Sequence, residues 1–204
     1  MEYKIIQGDC LEVMKDIPDK SVDLVLTDPL YGIGAGKEKP HNGWKDYGMN
    51  DWDNKSPSKE YFKEIFRISK NQIIWGGNYF IDYLCPSMGW IVWDKGQRDF
   101  SLADGELAWT SFQKALRIFT VARSKALRDT KQHPTQKSLE VIELCIKYAD
   151  RALGEEVKTI CDPFLGSGTT AVACQNLKRN FIGIEISKEY CAIAEQRLRQ
   201  EPLL

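Results

Sequence analysis

Short runs of β-branched and aromatic residues alternate with longer stretches of helical spacing along most of this 204-residue chain. Residues 3–7, 22–27, 72–76, 90–94, 116–122, 157–161 and 181–186 are short, apolar and often β-branched, which predicts buried strands. Residues 58–69, 138–150, 168–178 and 187–200 carry apolar side chains at helical spacing. In the last of these Tyr190, Ile193, Ala194 and Leu198 share one face, and Ser187 is placed as the N-cap. Parallel strands need long crossovers, usually helical. The alternation therefore predicts an α/β fold with one mostly parallel sheet of about seven strands and helices on both faces. The length suits a single domain with a substantial core.

Composition narrows the function classes. No stretch approaches the roughly 18 consecutive apolar residues of a membrane span. The first predicted strand begins at Tyr3, which leaves no room for a secretory signal ahead of it, so a cytoplasmic location is expected. Six cysteines, at 10, 85, 145, 161, 174 and 191, form no Cys-x-x-Cys pair and lie mostly in apolar runs. That pattern predicts buried reduced thiols, with no zinc site and no disulfide framework. A net charge of −1 gives no global pull toward a polyanion, so any nucleic-acid contact must be local.

Two stretches interrupt the alternation. Residues 32–57 hold glycines, Pro40, Pro57, Trp44 and Trp52 among mixed charges, too long for an ordinary connection. Residues 114–137 are basic, with Lys114, Arg117, Arg123, Lys125, Arg128, Lys131 and Lys137 against the single acid Asp129. Such a run reads either as a solvated face or as a polyanion contact.

Four motifs carry chemistry. The predicted strand 157–161 runs into Asp162-Pro163-Phe164-Leu165-Gly166-Ser167-Gly168-Thr169-Thr170 and then a helix. Glycines there allow a tight turn and a close ligand approach, although the full G-x-G-x-x-G is missing. Glu185 ends the next strand, about 20 residues on, where an acid can accept both hydroxyls of a ribose. Gly8-Asp9-Cys10 follows the first strand; Asp9 there could meet an adenine amine or simply cap a short helix over Leu11 to Ile17. His133-Pro134-Thr135-Gln136-Lys137 precedes a helix start, where amides, a hydroxyl and an ammonium can hold a carboxylate, or Thr135 can merely cap. Asp28-Pro29-Leu30-Tyr31 follows the strand 22–27. Its Asp28 carboxylate and Pro29 carbonyl can draw the hydrogens of an exocyclic amine out of ring conjugation. Tyr31 can stack on the base, an interaction worth roughly 1–3 kcal/mol.

Taken together these residues resemble the amino-methylating DNA methyltransferases, which transfer a methyl group from S-adenosylmethionine to adenine N6 or cytosine N4. The 28–31 motif comes first and the 162–170 motif last, as in the family's permuted β group; His133 to Lys137, Trp75 to Phe80 and Trp90 to Lys95 are similar to further hallmarks. The resemblance spans nearly the whole chain. It implies a single Rossmann-like, circularly permuted methyltransferase domain over 1–204, with 32–57 a long loop and about 110–132 a minimal target-recognition segment. It implies that Asp28, Pro29 and Tyr31 are catalytic. Asp9, Cys10, Asp28, Thr135, Gln136, Lys137, Asp162, Phe164, Gly166, Ser167, Gly168, Thr169 and Glu185 would bind the cofactor, with no metal. Arg117, Arg123, Lys125, Arg128 and Lys131 would contact double-stranded DNA. A second copy of the chain and a cognate restriction endonuclease are further partners the resemblance suggests, and a membrane is not. An aspartate heading the motif resembles the adenine enzymes, since serine is common in the cytosine ones.

Leu30 departs from the family, which usually has a second proline there. Leucine leaves the loop less rigid and frees an N–H, but the first proline, whose carbonyl would do the chemistry, is retained, so activity is expected to survive, at full or reduced level. A binding module whose loop has decayed is the non-enzymatic alternative. Enzymes that methylate RNA adenine or a protein amide carry similar acid-or-amide, proline, aromatic motifs; the motif order and the segment 133–137 favour DNA.

Overall fold

The computed structural model describes residues 1–32, 56–98, 103–122 and 137–199. The elements in chain order are β1 (Tyr3–Gln7), α1 (Cys10–Met14), β2 (Val22–Thr27), α2 (Lys59–Ile68), β3 (Ser69–Trp75), a 3-10 turn (Gly77–Tyr79), β4 (Trp90–Asp94), β5 (Gly105–Thr110), β6 (Arg117–Thr120), α3 (Leu139–Leu153), β7 (Thr159–Asp162), α4 (Thr169–Asn176), β8 (Asn180–Glu185) and α5 (Lys188–Arg199). All eight strands form one sheet in the order β1-β8-β7-β2-β3-β5-β4-β6. Every neighbouring pair is parallel except those made by β5, which runs against both β3 and β4.

The predicted α/β sheet is present with one strand more than expected. β5 was missing from the sequence reading because Gly105-Glu106-Leu107-Ala108-Trp109-Thr110 mixes residues of low β propensity and follows Asp104 into a turn-like start. Pairing fixes it instead, through Ile74 opposite Trp109 and Trp93 opposite Glu106. An antiparallel strand starts where its parallel neighbours finish. The amino end of β5 therefore lies at the carboxyl edge of β3 and β4.

Helices cover both faces. Leu24, Leu26, Ile73 and Trp75 pack toward Val141, Ile142, Cys145 and Ile146 of α3, and toward Ala171 and Cys174 of α4 and Ala194 of α5. Val22, Val25 and Ile74 pack with Met14 of α1 and Phe62, Ile65 and Ile68 of α2 on the other face. Ser187 caps α5 as expected, its hydroxyl accepting from the Tyr190 amide at 3.3 Å. Five cysteines are buried and free; Cys85 is free but exposed, unlike the buried thiol expected there. Among the described residues no helix is long and apolar enough to cross a membrane.

The strand order reverses between β7 and β2. From β7 the chain returns through α4 to β8 on one side; from β2 it goes through α2 to β3 on the other. Because α4 and α2 lie on opposite faces, a crevice opens between the carboxyl ends of these two strands, the usual ligand position in such sheets. Those ends carry Asp28 and Asp162.

Candidate active site

A cavity of about 540 Å³ opens at this carboxyl edge. Its glycine side is built by the turn after β7. Gly166 lines it and donates its amide to Glu185 Oε2 at 2.8 Å, while the Ser187 amide donates to Glu185 Oε1 at 2.9 Å. Glu185 at the end of β8 is thus held rigidly with lone pairs to spare for ribose hydroxyls. A Cβ built at Gly166 would meet nothing within 4 Å, so the turn presents open backbone to the cavity. Asp9 lines the far wall beside β1. It also caps α1, accepting from the Leu11 amide at 2.8 Å, so the capping reading holds and the residue stands at the cavity as well. Cys10 sits next to it, its thiol pushed up to about 12 by burial and by the neighbouring Asp9. This wall of acids, open glycine backbone and apolar side chains fits a nucleoside with an amino-acid tail.

Asp162 ties the two central strands together. Thr27 Oγ1 donates to its Oδ1 at 2.7 Å, the Phe164 amide to the same oxygen at 3.1 Å, and Thr170 Oγ1 to its Oδ2 at 2.7 Å. Burial raises its pKa to about 6, against the opposing pull of the two hydroxyls and the amide.

Asp28 stands on the other side of the cavity. Tyr31 donates its hydroxyl to Asp28 Oδ1 at 2.6 Å, and Lys137 Nζ lies 2.8 Å from Oδ2. Burial raises the Asp28 carboxyl, Lys137 opposes that, and Glu106 adds to it. The Tyr31 ring stacks on Tyr79 with centroids 4.8 Å apart and packs directly on the Gly76 backbone, leaving no room for a Cβ there. Pro29 is buried behind Asp28, and Leu30 is half-buried and forms part of the cavity wall.

Most residues expected at the site come together. Asp9, Cys10, Asp28, Lys137, Asp162, Phe164, Gly166, Ser167, Thr169 and Glu185 all line the one cavity. Gly168 is the correction within the turn: it does not line the cavity, and a Cβ there would lie 2.6 Å from the Ala194 Cβ, so its smallness serves helix packing. Lys137, expected at a cofactor carboxylate, lines the cavity with its ammonium engaged by Asp28 and, at 2.6 Å, by Glu106 Oε2. Arg117 is exposed on β6, four strand spacings from β2, or roughly 19 Å. Thr135, Gln136, Arg123, Lys125, Arg128 and Lys131 lie outside the described residues. Three contributors escaped the sequence reading. Glu106 was hidden with β5. Tyr61 of α2 lines the cavity and packs on Phe164 with ring centroids 5.7 Å apart. Arg197 of α5 donates to the Ser167 carbonyl at 2.7 Å, bracing the glycine turn from outside.

The model of the DNA methylase family that covers N6 and N4 enzymes matches residues 91–196. The chain is 30% identical to the type II methyltransferase M.HinfI of Haemophilus influenzae, over 96% of this chain and 68% of that protein. It is 28% identical to M.HpaI of Haemophilus parainfluenzae, over 98% and 76% respectively. Among solved structures, the complex of M1.HpyAVI with S-adenosylmethionine superimposes with a TM-score of 0.65 at 26% identity, covering 96% of this chain and 99% of that one. The cytosine-N4-specific PvuII DNA methyltransferase shares the fold with a TM-score of 0.64 at 16% identity, covering 100% and 88%. Sheet order, cavity and relatives agree: this chain belongs to the amino-methylating, S-adenosylmethionine-dependent DNA methyltransferases.

Proposed function

We propose that this enzyme methylates adenine at N6 within double-stranded DNA, with Asp28, the Pro29 carbonyl and Tyr31 handling the base. The observation that carries this reading is a carboxylate, rather than a hydroxyl, at the cavity's edge, with its pKa raised by burial. A carboxylate at this position resembles the adenine enzymes of the family.

The glycine turn from Phe164 to Thr169 and Glu185 would hold the cofactor, Glu185 through the ribose hydroxyls and Asp9 through the adenine amine. When bound, S-adenosylmethionine supplies an activated methyl group on a positively charged sulfur. The target base leaves the duplex stack, at roughly a few kcal/mol, to reach a pocket at this depth. Its amine then competes with the Tyr31 hydroxyl for Asp28 Oδ1, while the Pro29 carbonyl accepts the second hydrogen. With both hydrogens held by Asp28 and the Pro29 carbonyl, the nitrogen lone pair would turn out of the ring and be free to take the donor's methyl group, the donor's S–C bond breaking to leave a neutral thioether. The amine would become acidic only as its new N–C bond forms. A carboxylate with a raised pKa is then well matched to take the released proton. Tyr31 offers its ring for stacking once Tyr79 yields that face.

DNA contact is assigned to Arg117 and, along the same basic stretch, to Arg123, Lys125, Arg128 and Lys131. Phosphate contacts position a duplex without reading its sequence. Neutralising these residues should flatten the salt dependence of DNA binding, and unchanged binding would return them to a solvated surface. A pairing with a restriction endonuclease rests on the type II relatives.

The test is expression in a methylation-free host followed by modification-sensitive long-read sequencing. N6-methyladenine in a fixed sequence context is expected. N4-methylcytosine would overturn the assignment of the base, and an unmodified genome would favour the binding-module alternative for Leu30.

A further inference from the structure

We propose that Glu106 and Lys137 are positioning residues for the methyl-transfer reaction. On this view a chain of four alternating charges, Asp28, Lys137, Glu106 and Lys95, sets the orientation of the Asp28 carboxylate and keeps it able to accept a proton. This rests on the reading of Asp28 as the acceptor of the target amine. Four separate segments supply the chain: the end of β2, the residue before the N-cap of α3, the start of β5 and the residue after β4. Lys137 Nζ sits 2.8 Å from Asp28 Oδ2 and 2.6 Å from Glu106 Oε2, and Lys95 Nζ sits 2.7 Å from Glu106 Oε1. The lysine side chains are 9% and 13% exposed for Lys137 and Lys95 and the two carboxylates 26% each, so water screens the lysine ends weakly and reaches the carboxylates in part. The Lys137 ammonium also lies 5.8 Å from the Tyr31 ring centroid and 5.4 Å from that of Trp75. Two carboxylates and two aromatic rings thus surround it.

Division of the ammonium between two carboxylates is what matters. A buried lysine paired with one aspartate alone would hold that aspartate firmly ionised and make it a poor proton acceptor. Here Glu106 shares that ammonium, lying 2.6 Å from it against 2.8 Å for Asp28. Burial works to raise its carboxyl, but Lys137 and Lys95 together hold it down at about 2. Asp28 is left raised, by burial first and by the Glu106 charge as well, against the pull of Lys137. The groups facing Asp28 are Lys137, Glu106, the Tyr31 hydroxyl and, across the strand boundary, Asp162. Lys137 stays protonated: burial disfavours its charge, and Asp28 and Glu106 more than restore it. The array is therefore a fixed set of charges around one carboxyl that is held above its ordinary value.

The experiment is single-turnover methyl transfer by the full chain on unmethylated DNA, measured across pH, with donor KM from steady state. Glu106→Gln should slow transfer roughly tenfold or more, leave the donor KM within about twofold, and move the acidic limb of the rate to lower pH. The limb moves down because the negative charge that raises Asp28 is gone. Glu106→Asp should bring the limb back toward wild type. Lys95→Gln leaves Glu106 less neutralised and should move the limb upward, and it serves as the reading if Glu106→Gln does not fold. A folded Glu106→Gln enzyme with wild-type rate and an unmoved limb would overturn the proposal, as would an unmoved limb in Lys95→Gln. Asp28→Ala is run beside them. Retained turnover there would remove Asp28 from the mechanism and this proposal with it. A dead Asp28→Ala beside an unaffected Glu106→Gln would overturn the positioning role alone.

Discussion

Asp162 shows how a single side chain can serve the site at a cost to the fold. It is 3% exposed and bridges Thr27 on β2 to Thr170 on α4, which keeps the two halves of the crevice in register. Its carboxyl is raised from 3.8 to about 6 by burial, a shift equivalent to on the order of 3 kcal/mol against the ionised form. A carboxyl with a folded-state pKa above its unfolded value binds more protons in the native state over the interval between them. Its stabilising contribution is complete below about pH 4 and is lost as the pH rises through about 6. Asp162→Asn should erase that slope. Urea unfolding of both proteins at several pH values across this interval checks it through the difference between them. A difference that stays constant with pH would contradict the raised carboxyl. At this scale the sequence was informative where chemistry is carried by local motifs, as at Asp28 and Glu185. It was silent at Glu106, whose role exists only through pairing with a lysine 31 positions away, as Lys137 is numbered.

The element scale separates two glycines that look alike in sequence. Gly166 and Gly168 both take positive φ, at 53° and 84°. Gly166 faces open space, whereas Gly168 starts α4 against Ala194 of α5. Gly168→Ala combines a left-handed backbone with a steric clash and should destabilise the fold by roughly 2–4 kcal/mol. Gly166→Ala carries only the backbone strain, roughly 1–2 kcal/mol, but places a methyl group in the cavity proposed for the cofactor. Thermal unfolding and S-adenosylmethionine binding, measured on both, should show the larger Tm loss at 168 and, in whatever protein folds, the larger affinity loss at 166. The reverse ranking would contradict the placement of the turn. Strands with β-branched runs were legible because burial on both faces demands them. β5 was not, since tertiary pairing alone makes a strand of a segment with Glu106 and Ala108 in it.

At the scale of the whole molecule, the order of motifs along the chain and the order of strands in the sheet carry the same information. The 28–31 motif and the 162–170 motif are far apart in sequence, yet they end adjacent strands, with Val25 opposite Cys161 in the register. Sequence periodicity predicts a parallel sheet, and the family resemblance implies the permuted order and a shared site; the fold brings the Asp28 and Asp162 strand ends around one cavity of about 540 Å³. The segment that follows β6 and the long connection after Gly32 were legible as exceptions to the alternation, because neither has the apolar period that burial requires. The most direct measurement is a crystal structure of the full chain with S-adenosylmethionine bound. The expected result is ribose on Glu185 and the sulfonium methyl facing Asp28 across room for one amine nitrogen, about 3 Å on each side. A sulfonium lying outside this cavity, or turned away from residue 28, would contradict the central claim.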